Sequence, residues 1–148
     1  MDVRPGPLPP STLAPPELVN RALHLLRRAG LAAVGALAVN VVLEIAFLWA
    51  INPANLSYSW IVVFQNWWLV VLWVLGWVLP VATFGGTQQA VRLARTGQWI
   101  LLRRWLPSLV GTGYASWIVP GHYLLETLSL VHAWAEPKPG PPMARSVP

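Results

Sequence analysis

Cysteine is missing altogether and charge is scarce: only 10% of the 148 residues are charged, with five acidic against ten basic side chains and three histidines. Without cysteine there are no disulfides, thiolate metal sites, iron–sulfur clusters or cysteine nucleophiles, and no redox compartment can be read from the chain. Other signatures are missing too. There is no phosphate-binding glycine loop, no GxSxG elbow, no HExxH and no serine set beside a base and an acid, and Gly111-Thr112-Gly113 is a lone glycine pair. Internal repeats of the kind that build many transporters are also lacking. Soluble domains carry roughly 25% charged residues. With 55% hydrophobic residues and a mean hydropathy of +0.53, this chain has instead the composition of a protein whose solvent is lipid.

The net charge of +5 and pI near 10.8 raise the question of nucleic acid. The basic residues, however, lie in short clusters beside apolar runs, where membrane topology and anionic headgroups account for them, so no nucleic acid is expected. Proline marks the ends. Residues 1–16 hold six of the fifteen prolines and residues 137–148 hold five more. Such tails favour extended conformations and bury no core, which leaves residues 17–136 as a membrane helical domain.

Within that domain Pro16 and Glu17 suit a helix start, and ELVNRALHLLRRAG predicts a short amphipathic helix that lies at the interface or runs into the next segment. From Ala29 to Ile51 the chain is apolar except for Asn40 and Glu44, long enough for a first transmembrane helix (29–51). INPANLSYS then predicts a tight connection. A second span follows over about 60–84, containing FQNWWLVVLWVLGWVLP, with Pro80 near its end and Gly85-Gly86 as its terminator. Residues 85–105 read as a basic, cytoplasmic interfacial segment, with Arg92, Arg95, Arg103 and Arg104 beside Trp99 and Trp105. The last apolar stretch, interrupted by Pro107, Pro120 and Gly121, is expected to form a third broken or kinked span over about 108–132, with two half-helices broken at Pro120-Gly121 as the alternative. The fold class is therefore an all-α integral membrane protein, a small helical bundle of two transmembrane helices and a third broken span.

Arg4, Arg21, Arg27 and Arg28 precede the first span and four arginines follow the second. The positive-inside rule then puts the N-terminus and the 85–105 loop in the cytoplasm, in the plasma (inner) membrane if the source is bacterial. A third span would carry the C-terminal tail outside. Arg27-Arg28 before an apolar run also suits a cleaved secretory or twin-arginine signal, but no small-x-small cleavage site follows and the run is long for a signal.

Several residues carry chemistry. Ala32, Ala36, Asn40 and Glu44 recur every four positions, a ridge of small then polar side chains that invites another backbone and points a carboxyl group at it. An ionised Glu44 in lipid would be expensive, so it should be protonated, paired or facing a wet cavity. This leaves open a proton, cation or cofactor contact on one side and a structural hydrogen bond on the other. Trp60, Phe64, Trp67 and Trp68 suit an aromatic belt, while Trp73 and Trp77 lie deeper and should pack on helices, lipid tails or a flat cofactor. Gln65 and Asn66 need polar partners. His122 and Glu126 share a helical face near Ser129, a weak signal for a hydrogen-bonded pair, a proton relay or two metal ligands. His122 or His132 could ligate a haem or chlorophyll-type macrocycle, but ten residues put them about 15 Å apart on a continuous helix, so they cannot share one metal. No complete catalytic metal site or enzyme activity is expected from one copy, and no particular cofactor is implied.

Two functions follow. The first is a structural or accessory subunit of a larger membrane complex, contacting membrane lipids and other membrane protein subunits or further copies of itself. The second is a cofactor-binding electron-transfer subunit, or a homo-oligomeric proton or ion conductor using Glu44, His122 and Glu126.

Overall fold

The computed structural model describes residues 14–51 and 65–135. These form four helices and no strand: α1 (Pro16–Ile51), α2 (Trp67–Arg95), α3 (Trp99–Ser116) and α4 (Ile118–Ala135). Residues 1–13 and 136–148, which hold most of the proline-rich tails, and residues 52–64, which hold the INPANLSYS connection after Ile51 together with Trp60 and Phe64, lie outside the described residues.

Helix α1 begins at a proline whose missing N–H would have been unpaired in the first turn anyway, and the Leu18 and Val19 amides donate to the Pro15 carbonyl at 3.0 and 3.2 Å. The amphipathic segment does not end at the interface but runs on, giving 36 residues without a break and a length of about 54 Å.

Helix α2 differs from expectation at its end. Gly85-Gly86 does not stop it, and the helix continues to Arg95. The terminator is Gly97, whose positive φ of 74° lets the Gln98 amide donate back to the Leu93 carbonyl at 3.0 Å, while the Thr96 amide donates to Arg92 at 3.0 Å. Gly86 has a packing role: a Cβ there would lie 2.4 Å from Leu109 Cδ1 of α3. The 85–105 segment is accordingly the last part of α2, a three-residue turn and the start of α3.

The expected third span over 108–132 is replaced by a helical hairpin. A continuous helix would press the Pro120 ring against the Ser116 carbonyl four residues back. The chain instead leaves the helix at Trp117 (φ −171°, ψ 158°), three residues before Pro120, which then falls in the first turn of α4 where its missing donor is harmless. The hairpin closes because Gly113 and Gly121 let the backbones meet: a Cβ on Gly113 would sit 3.2 Å from Gly121 Cα. At its far end the Trp99 and Trp134 rings stack at 6.0 Å, inclined by 50°.

The core lies at one end. Ala22, Leu26 and Ala29 from the first half of α1 meet Ala90 and Ala94 of α2, Leu102 and Leu106 of α3, and Leu124 and Val131 of α4. With an even number of antiparallel elements, the start of α1, the α2–α3 turn and the end of α4 share that end. The later half of α1 and the earlier half of α2 project beyond it. Both helices are long and apolar enough to cross a membrane, over Pro16–Phe47 and Val70–Arg95, and their most apolar windows are only 11% and 22% buried within the molecule.

Candidate functional site

The small-to-polar ridge of α1 faces α2. Ala36 is buried and Ala32 partly so. One turn further, Asn40 lies against Gly76: a Cβ on Gly76 would stand 2.9 Å from both amide heteroatoms of Asn40, so a larger residue there would displace the Asn40 side chain. Another turn on, Trp77 Nε1 donates a 2.6 Å hydrogen bond to Glu44 Oε1. The two residues singled out separately on different helices, Glu44 and Trp77, are thus partners, and both are part-buried.

Pro80 shapes the same region from α2. Having no N–H, it gives the Gly76 carbonyl no donor four residues on. It is itself buried, and with Gly76, Ala36, Val39, Asn40, Leu43 and the Ser116–Trp117 corner it lines an open cleft of about 160 Å³. The amide nitrogen of Asn40 is the one buried side-chain polar atom among the described residues with no hydrogen-bond partner. Gly76 was not singled out by sequence reasoning, although its place four residues before Pro80 is a readable signal.

Other buried polar groups are satisfied locally. The hydroxyls of Thr83, Thr87 and Thr127 donate to the carbonyls of Leu79, Phe84 and Tyr123 in their own helices at 2.8, 2.7 and 2.8 Å, the usual way a threonine enters a helix interior. A second cleft, of about 410 Å³ between α2 and α3, is bounded by Gly86, Gln89, Trp105 and Leu109. Trp105 Nε1 donates to the Gly86 carbonyl there at 3.4 Å. No ionisable side chain lines it.

The remaining residues scatter. His122, Glu126, Ser129 and His132 lie exposed on the outer face of α4, away from Glu44. Neither His122 nor His132 faces the cleft. Among the described residues no group of three or more His, Asp or Glu side chains is placed to hold a metal. Gln65 is exposed, Asn66 precedes α2 without a side-chain cap bond, and Trp67, Trp68 and Trp73 are exposed on the projecting part of α2. Arg92, Arg95, Arg103 and Arg104 are all exposed, at the core end that also carries Arg21, Arg27 and Arg28. No protein-family model, curated protein or solved structure matches the chain.

Proposed function

We propose that the protein is an integral membrane protein acting as a structural or accessory subunit of a larger membrane assembly, with its arginine-rich end in the cytoplasm. The observation that carries this is the outer face of α4. His122, Glu126, Ser129 and His132 are exposed there beside Ile118, Val119 and Leu125. Polar and ionisable side chains within an apolar bundle are costly against lipid and are characteristically turned toward protein or a wet cavity. A further protein surface lying on α4 meets that need.

The low burial of α1 and α2 supports the membrane setting, since a soluble protein keeps such windows inside. The arginines support the orientation. Because α3 and α4 form a hairpin, the end of α4 lies beside the start of α3 and so on the cytoplasmic side in this reading, rather than opposite. A homo-oligomeric conductor using Glu44, His122 and Glu126 would have to draw these residues from two different faces of each copy. Glu44 is engaged by Trp77 between α1 and α2, whereas His122 and Glu126 face outward from α4.

The test is purification from native membranes in mild detergent, with subunit composition and visible absorption recorded on one sample. Stoichiometric partners that dissociate on Glu126→Leu support the reading. A lone, pigmented chain whose absorption is lost on His122→Ala overturns it.

A further inference from the structure

We infer that the groove between α2 and α3 seats an anionic phospholipid of the cytoplasmic leaflet, its phosphate on Arg104 and an acyl chain against Gly85. The inference rests on the membrane setting and orientation proposed above but not on the subunit role.

The groove is built from two adjoining clefts. The cleft of about 410 Å³ over Gly85 and Gly86 shares Gln89 and Trp105 with a further cleft of about 440 Å³, lined also by Leu93, Leu101 and Arg104. The second cleft lies nearer the α2–α3 turn, so the two follow one another along the seam. Thr112, at the far limit, comes eight residues after Arg104, which gives the groove a length of about 12 Å. Its two ends differ in chemistry. Arg104 is exposed at the cytoplasmic end, and no carboxylate lines either cleft. This cation is left for an anion from outside the groove. The far end is walled by Ala82, Gly85, Gly86 and Leu109, and the Thr112 hydroxyl there is already spent on the Ser108 carbonyl at 2.8 Å.

Gly85 is the second ground. Glycine is costly in a helix interior, and Leu109 accounts for Gly86, but nothing stands within 4 Å of a Cβ on Gly85. No group of this chain uses the space that Gly85 leaves. Depth is the third ground. Arg104 comes five residues after Trp99, about 7.5 Å into α3 from its cytoplasmic start, a distance from which an arginine head reaches the headgroup layer. Basic pockets between membrane helices on the cytoplasmic side are suited to anionic headgroups. A soluble anion would pair with Arg104 and leave the apolar floor uncovered; a neutral lipid would cover the floor and leave Arg104 unpaired. An anionic lipid meets both needs.

The experiment is native mass spectrometry of the full chain, delipidated in detergent micelles and titrated separately with dioleoyl phosphatidylglycerol and dioleoyl phosphatidylcholine, which carry the same tails. The expected result is a saturating adduct of one phosphatidylglycerol per chain, with phosphatidylcholine bound about tenfold more weakly for want of a net charge. Arg104→Gln should bring phosphatidylglycerol down to the phosphatidylcholine level. Arg103→Gln should keep the preference, because Arg103 lines neither cleft. Gly85→Phe, which fills the groove, should lose the saturable adduct. Monodisperse size-exclusion profiles qualify the variants. Equal binding of the two lipids, a preference that survives Arg104→Gln, one lost equally in Arg103→Gln, or saturable binding in Gly85→Phe overturns the inference. So does a benzophenone label on Ser108→Cys that crosslinks to protein rather than lipid in native membranes, which would assign the groove to a partner helix. Carbonate extraction separates the two readings. A chain that is released overturns the membrane setting and this site with it, whereas a retained chain without lipid preference overturns this inference alone.

Discussion

Two adjacent glycines in α2 are expected to respond oppositely to substitution. Gly85 has nothing within 4 Å of where a Cβ would stand, whereas a Cβ on Gly86 would lie 2.4 Å from Leu109 Cδ1, and Leu109 is 3% exposed. In the interior of a continuous helix, Gly85→Ala should stabilise by about 0.5–1 kcal/mol through backbone entropy alone. Gly86→Leu shares that gain but drives four carbons into filled space, and overpacking of about 1–3 kcal/mol, or more where even the Cβ clashes, reverses the sign. For a chain of this size 1 kcal/mol corresponds to about 2–4 °C in Tm. Gly85→Ala should therefore raise the midpoint by about 1–4 °C, and Gly86→Leu should lower it by several degrees. Thermal unfolding in detergent, followed by tryptophan emission, measures both. If Gly85→Ala destabilised as much as Gly86→Leu, the pair would be ending the helix, and the continuous α2 and its packing on α3 would both be wrong.

Other tests address the seam and the topology. Glu44→Met, which removes the acceptor, and Trp77→Phe, which removes the donor, should be non-additive, with a coupling of about 1–3 kcal/mol in a double-mutant cycle on detergent stability; additive losses would mean the 2.6 Å bond contributes nothing. Because the chain has no cysteine, single cysteines at Gln98 and Ala135 can be labelled against a silent background. Both should react with an impermeant maleimide from the same membrane face, and labelling from opposite faces would refute the hairpin as a membrane topology. Gly113→Leu, which forces a side chain into the Gly121 backbone, should open the α3–α4 hairpin and lose the 6.0 Å Trp99–Trp134 stacking, visible in near-ultraviolet circular dichroism. An unchanged spectrum would show that this crossing tolerates volume.

What could be read from residues alone were properties that depend on local covalent structure and solvent preference. Helix at Pro16, apolar length in α1 and α2, the basic cluster at one end and the face shared by Asn40 and Glu44 follow from hydropathy, proline chemistry and the 3.6-residue period. Pro120 also announced a break. Which side of it the chain would yield on, and whether the halves would straighten or fold back, depended on Gly113 and Gly121 finding each other, a contact between separate helices. Gly85-Gly86 was misleading for a related reason. A glycine can end a helix or admit a neighbour, and only the presence of Leu109 decides between them. Likewise Glu44 needed a partner on any reading, but that Trp77 supplies it, and that Asn40 one turn away is left with an unused donor, was set by the register of α1 against α2. That register is a property of packing between surfaces distant in the chain, and periodicity within one helix carries no information about it.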